Sequence, residues 1–385
     1  MIKRRIFLAW LQLTHQKTRL IVALLGIGFA GMLMFIQLGF QAALFDSNTR
    51  VHRLLDTDLV LISPQARNLP NMQTFPRRRL YQAMNFEDVE SAQALYINFA
   101  DWKNPTTRAS SSILVIGFDP TTSPFKLEEV KNNLEAIKLP DTLMFDRAAR
   151  GEYDTTVKKL EQGKEVGAEI AGREVTLNGL FTIGASFAAD CSLITSDSNF
   201  LRIFPRRTDS EVSVALIKVK PNTDIPRLQN TLQTQLPEDV KVLTAVEFAN
   251  FEKTYWQKNT SIGFIFSLGT AIGFIVGVVI VYQILYSDVS DHLAEYATLK
   301  AMGFTNFYLL GIVFQEALVL GILGFVPGFA IAIGLYNLTR NATRLPIAMT
   351  GDRALLVLTL TIIMCVISGV ISMRKLQAAD PADIF

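Results

Sequence analysis

Four stretches of this chain, 20–45, 259–286, 308–338 and 354–373, are too long and too apolar for a fold surrounded by water. A bilayer core of about 30 Å is crossed by about 20 apolar residues rising about 1.5 Å each, and every stretch reaches that length. Three carry no charged residue and the fourth holds only Glu316, so four transmembrane helices are expected. Half of the 385 residues are apolar and the formal net charge is only +2, which gives no footprint for nucleic acid.

The basic residues cluster at the start. Lys3, Arg4, Arg5, Lys17 and Arg19 flank Ile2, Ile6, Phe7, Trp10 and Leu13 at helical spacing, so 1–19 reads as an amphipathic helix in the cytoplasmic interface. It also reads simply as a basic flank that sets topology. Either way the N-terminus is expected inside, and with four spans the tail 374–385, led by Arg374 and Lys375, is inside too. The first span is expected to be retained rather than cleaved, because its apolar run exceeds that of a signal peptide and no small-residue cleavage pattern follows. Gln37 and Gln41 near its outer end are expected to hydrogen-bond between helices.

Residues 46–258 contain no spanning run and are expected outside as an α+β domain. Asp58–Ser63, Ser112–Gly117, Val212–Lys220 and Val240–Thr244 read as strands, rich in β-branched residues between turn formers. Helices are expected at Glu87–Tyr96 and at Ile225–Leu236, where Ile225, Leu228, Leu232 and Leu236 form one stripe. From 121 to 207 glycines punctuate short alternating runs such as Glu174–Ile183, the texture of a β-rich lobe inserted in the domain. Arg77, Arg78 and Arg79 read as an outer basic patch for an acidic surface or lipid head groups, or as a solvated loop.

Between the second and third spans lies a polar link, 287–307, with helical patterning. Leu293, Ala297, Lys300 and Ala301 share one side, Asp291, Glu295, Thr298 and Met302 another, and Gly303 follows as a stop residue. A solvent loop needs no such pattern, so the link is expected to lie at the membrane surface and offer a face to a partner. Gly269, Gly273 and Gly277 recur four apart on the second span and are expected to admit another helix closely, in the subunit or across a dimer. Gly321, Gly324, Pro327 and Gly328 imply a bent, closely packed third span, and Glu316 is expected at its cytoplasmic border. The outer loop is 339–353.

Catalytic patterns are missing from the sequence. There is no phosphate-binding G-x-x-x-x-G-K-[ST] loop, no H-E-x-x-H, no G-x-S-x-G and no paired cysteine motif, so no catalytic, cofactor or metal residues are assigned. Cys191 and Cys365 fall in the polar middle and in an apolar run and are not expected to pair; His15, His52 and His292 have no ligand spacing and read as surface residues.

The run Glu295–Gly303, EYATLKAMG, resembles the segment after the second transmembrane helix in the FtsX/MacB-type permease superfamily. The ending Lys375–Phe385, KLQAADPADIF, is similar to the Pro-Ala-acidic ending of that family, and Tyr255–Phe266 with Val281–Phe304 look like its cyanobacterial DevC-type branch. The resemblance implies the permease subunit of an ABC exporter, a homodimer that is not itself an enzyme, with ATP and magnesium bound by a separate DevA-like or MacB-like ATPase subunit. By the family pattern Asp288, Asp291, His292, Glu295, Tyr296, Leu299, Lys300, Met302 and Gly303 would dock on that ATPase, with the N-terminal helix and Asp380–Ile384 nearby. The outer domain would divide into a porter-like lobe, 46–120 and 208–258, and the inserted lobe 121–207. A periplasmic adapter of the DevB-like membrane fusion type, a TolC-like outer-membrane channel and a glycolipid or other amphiphile as cargo are further implications. A lipoprotein-releasing permease, a regulator of a cell-wall hydrolase and a membrane-anchored receptor are the competing readings.

Overall fold

A computed structural model describes residues 17–292, 295, 298–300 and 302–378. Residues 1–16 of the expected interfacial helix, Tyr296 in the link and 379–385 of the tail lie outside the described residues. The chain divides into two units, one made of Met1–Ala42, Ser261–Arg340 and Ile347–Phe385, the other of Ala43–Thr260 and Asn341–Pro346.

The first unit is helical. It contains the start of α1 (Lys17–Leu54), and after the interspan domain come α9 (Ser261–Asp291), α10 (Asn306–Thr343) and α11 (Gly351–Ala378). Each runs past its apolar stretch, because a helix does not end where hydrocarbon ends, only where capping or turn chemistry stops it. All four are long and apolar enough to cross a membrane. Their outward faces carry Leu25 and Phe29, Ile272 and Ile275, Ile322 and Val326, and Leu355 and Ile363, all exposed. In water that surface would be penalised at about 25 cal/mol per Å², and against lipid tails the penalty vanishes. The protein is a multi-pass membrane protein.

Small residues set the inner packing. Ala30, Met34 and Gln37 of α1 lie over Gly277, Gly273 and Gly269 of α9, and a Cβ on Gly277 would come within 2.9 Å of the Ala30 methyl. Gly28 meets Gly324, Pro327 and Gly328 of α10 so closely that a Cβ on Gly328 would lie 2.5 Å from the Gly28 carbonyl oxygen. Phe35 meets Phe325 and Phe329 in tilted ring contacts at 5.8 and 5.9 Å, Gln41 donates to Ser267 Oγ at 2.9 Å, and Ser368 of α11 donates to the Val278 carbonyl at 2.8 Å.

The second unit is an α/β domain built on one mixed sheet. Its strands are β1 (Leu59–Ile62), β3 (Val89–Lys103), β4 (Ser110–Phe118), β5 (Thr142–Asp146), β6 (Val166–Ile170), β7 (Arg173–Phe181), β8 (Cys191–Ser196), β10 (Val214–Val219) and β11 (Lys241–Thr244); β2 (Phe75–Pro76) and β9 (Glu211–Val212) form a separate ribbon. The order is β11-β1-β10-β3-β4-β8-β5-β7-β6, and β6 returns to pair Trp102 with Ile170 on β3. Six strands, β3, β4, β8, β5, β7 and β6, therefore close into a ring. Residues 121–207 supply four of them and the preceding residues supply the other two.

Alternation along the strands divides the core in two. Leu59, Ala94, Tyr96, Ile113, Val115, Phe145 and Ile217 point into one cluster with helices α2 (Arg78–Met84), α5 (Asp154–Glu161), α6 (Asp197–Ile203) and α7 (Ile225–Gln235). Val60, Leu95, Ile97, Leu114, Ile116, Met144 and Leu216 point into the other, with the end of α1, α3 (Glu128–Lys131), α4 (Leu134–Lys138) and α8 (Ala245–Lys258). Two-sided burial explains why these strands are apolar at consecutive positions.

The helix expected at Glu87–Tyr96 is instead the first half of β3. Ala92, Gln93, Ala94 and Leu95 are good helix formers, but β10 pairs residues Val89 to Leu95 and β4 pairs Leu95 to Lys103, and that ladder overrides local propensity. The expected basic patch is also corrected. Arg79 is buried and its guanidinium grips Asp239 at 2.8 Å and 2.6 Å, Arg77 is half-buried beside the Tyr96 hydroxyl, and only Arg78 faces solvent.

Candidate functional site

The residues expected to couple the chain to a partner gather at the end of α9 and in the link to α10. α9 carries a polar last turn, and two carboxylates there, Asp288 and Asp291, face one cation on α1. Arg19 donates to Ser287 Oγ at 3.2 Å, makes a short hydrogen bond to Asp291, and lies 3.8 Å from Asp288 Oδ1. His292 closes the turn, its backbone donating to the Asp288 carbonyl at 3.1 Å and its Nδ1 lying 3.8 Å from Asp288 Oδ1. Asp288 is buried in this arrangement and Asp291 is exposed.

Beyond it, Glu295 and 298–300 are helical and the helix stops at Gly303. Phe304 donates its N–H back to the Leu299 carbonyl at 3.1 Å and Gly303 donates to the Lys300 carbonyl at 3.0 Å, the paired bonds of a Schellman stop. Gly303 sits at φ +91°, a conformation that a side chain would strain. Leu299 packs against the cluster of Val289, Leu309, Val313 and Met373, which leaves Glu295, Met302 and Phe304 exposed. Lys300 is half-buried. Among the described residues of the link, Leu299 is anchored, the helix is stopped at Gly303, and Glu295, Thr298, Met302 and Phe304 are exposed. Among the described residues no group of three metal-ligating side chains accompanies it.

Glu316, expected at the cytoplasmic border of the third span, is enclosed within the protein. It lies ten residues into α10, has no exposed surface, and neither carboxyl oxygen has a hydrogen-bond partner among the described residues. Ala317 and Leu320 beside it are buried with Ile27, Val281, Leu285, Met364 and Cys365 of the other three spans.

Sequence reasoning missed a second polar centre, inside the interspan domain. Glu252 on α8 is buried, its Oε2 accepting the Leu69 N–H at 2.7 Å and its Oε1 accepting the Trp256 indole N–H at 2.7 Å. His52, near the end of α1, places Nε2 3.7 Å from Glu252 Oε2 and its ring 4.4 Å from that of Phe248. His52 is thus a core residue, not a surface one. Burial pushes the Glu252 carboxyl up to about 7, against the lowering effect of its two hydrogen bonds. Across the domain, burial likewise raises the Asp146 carboxyl to about 6 although the N–H groups of Gly184, Ala148 and Ile183 bond it. Nothing in the sequence marks His52 and Glu252 as neighbours, since they are two hundred positions apart with no shared motif.

Residues 260–381 match the FtsX-like permease C-terminal family. That match is confined to the C-terminal third of the chain. The matched segment takes in α9, the link, α10 and all of α11. A comparison with curated proteins finds no match. Among solved structures, the periplasmic region of MacB from Actinobacillus actinomycetemcomitans is 9% identical over 51% of this chain and 92% of its own, with a TM-score of 0.35. The extracellular domain of the noncanonic ABC-type transporter YknZ from Gram-positive bacteria is 12% identical over 49% and 100%, with a TM-score of 0.34. A domain of a putative permease protein from Porphyromonas gingivalis is 10% identical over 49% and 86%, with a TM-score of 0.29.

Proposed function

We propose that the chain is the membrane permease subunit of an ABC exporter, converting ATP hydrolysis by a separate ATPase subunit into movement of the interspan domain. The observation that carries this reading is the FtsX-like match across α9, the link and α10, because it covers a polar segment between two spans whose described residues end in a Schellman stop at Gly303. In this reading the link lies in the cytoplasm and the interspan domain outside, both termini are cytoplasmic, and the membrane is the inner membrane. Glu295, Met302 and Phe304 meet the ATPase, while Leu299 transmits its motion to the Val289, Leu309, Val313 and Met373 cluster. A transmitter of this kind needs two arrangements of packed helices rather than a water-filled pore.

The finer reading, from the DevC-type resemblance, is a homodimer working with a membrane-fusion adapter and a TolC-like channel to export a glycolipid or other amphiphile. Co-purification of the intact complex, with mass spectrometry of its protein partners and bound lipid, tests it. Replacing Glu295 with Lys and Leu299 with Asp is expected to leave the protein inserted while ATP hydrolysis and export become uncoupled. Unchanged export in that variant removes the docking role.

A further inference from the structure

Strand β11 ends the sheet order, pairs with β1 alone, and turns its other edge outward. Every second residue of such an edge presents its N–H and C=O away from the sheet. On β11 those groups are met by side chains instead of a strand. Gln233 accepts the Val242 N–H through Oε1 at 2.8 Å and donates to the Val240 carbonyl at 3.4 Å, and Gln229 donates to the Val242 carbonyl at 3.2 Å. Glu247 accepts the Thr244 N–H at 2.8 Å and also holds the Gln229 amide at 2.6 Å. Two side-chain amides, one turn apart on α7, stand in for the peptide groups of a missing neighbour.

Beside this edge an open groove of about 1000 Å³ runs between α7 and α8. Asn230 and Gln233 form one wall, Asn250, Phe251 and Tyr255 the other, with Lys241 and Arg67 exposed along it. A strand edge flanked on both faces by helices is the geometry of strand addition, in which main-chain bonds give affinity and alternate side chains give selectivity. We propose that this groove accepts an extended segment of another polypeptide as an added strand, with Gln229 and Gln233 holding the place of its backbone.

The exchange is inexpensive. Gln233 is exposed, so its amide trades a backbone partner for water while the incoming peptide group makes the same bond to Val242. Side chains on one face of the incoming strand then gain apolar contact with Phe251 and Tyr255. Lys241, whose Nζ lies 5.7 Å from the Phe251 ring centre, and Arg67 favour an acidic side chain in that segment, Glu247 being occupied by the edge itself. The site requires the interspan domain only, so it stands or falls independently of ATPase docking.

The test uses the full-length chain. A photoreactive benzoylphenylalanine in place of Asn230, irradiated in the cells that make the protein, is expected to crosslink to one extended segment of another protein. That segment, synthesised as a peptide, should bind the purified full-length protein in detergent and lose at least tenfold in affinity when the backbone nitrogen facing Val242 is methylated. A Gln229→Ala, Gln233→Ala double variant should bind it several-fold more tightly, because no bonds need displacing. Absence of an adduct, binding indifferent to N-methylation, or self-association of the double variant without peptide binding would each overturn the proposal, the last by showing that the two glutamines only shield the edge from a second copy.

Discussion

Glu252 and His52 face each other at 3.7 Å in the core of the interspan domain, one on the helix that leads into α9 and the other near the end of α1. Each is enclosed by apolar neighbours, and the carboxylate is held by two donors, Leu69 and Trp256, that fix its plane. A buried carboxyl so placed is a titratable joint between two segments that no local sequence signal connects.

The sign of its pH dependence follows from its raised value. A carboxyl whose folded pKa is about 7 against an ordinary 4.5 binds its proton more tightly in the fold, so the stability it contributes is full below 4.5 and is lost as pH rises through 7. The melting temperature of the wild type minus that of Glu252→Gln is expected to fall steadily between pH 5 and pH 8. A difference curve that is flat, or that rises with pH, contradicts the assignment of this titration to Glu252.

Arg79 and Asp239 offer a contrasting test. The guanidinium is buried but the carboxylate is more than a third exposed at 37%, so solvent screening limits the pair. Arg79→Ala is expected to destabilise the protein by about 1–2 kcal/mol in thermal or denaturant unfolding. Arg78→Ala, at an exposed position of the same helix, should change stability by less than about 0.5 kcal/mol. Equal effects at the two positions would restore the basic patch read from sequence.

Packing between spans is tested at glycine. Gly277→Leu drives a side chain into Ala30 and Met364, and overpacking of this kind costs about 1–3 kcal/mol or more. Gly334→Leu on α10, where no atom lies within 4 Å of the added Cβ, is the control and should insert and extract normally. Detergent stability measured by tryptophan fluorescence and size exclusion is expected to separate the two variants.

At the link, Gly303→Val forces a β-branched residue into the left-handed region at a cost of about 1–3 kcal/mol. The Schellman stop should fray, and limited proteolysis is expected to cut between 298 and 307 faster than in the wild type. Gly303→Asn, which tolerates that region better, should fall between the two. Identical cleavage rates in all three would show that the stop does not hold the link.

The spans were legible because bilayer thickness writes itself into sequence as length without charge, and the glycines of α9 were legible because close helix approach needs the smallest residue. The strands at β1, β4, β7, β10 and β11 and the stripe of α7 were equally plain in their periodicity. β3 was not, since its first half is written in helix-forming alanine and glutamine and becomes a strand through β10, a partner more than a hundred residues downstream. The link showed its stop at Gly303 but not its tie to Arg19, which is 272 positions from Asp291. Long separations likewise hid His52 from Glu252 and Arg79 from Asp239: polar partners far apart in the chain leave no spacing to read.

The pairing of Ile170 with Trp102 gives six strands of the interspan domain a hooped construction whose staves are drawn from both earlier and later parts of the chain. No single cut in the loops between β4 and β8 frees a half of it, because each fragment keeps hydrogen-bonded staves on both sides of the break. A force applied to this body is therefore shared around the circumference, and the domain should tilt or travel whole before it opens.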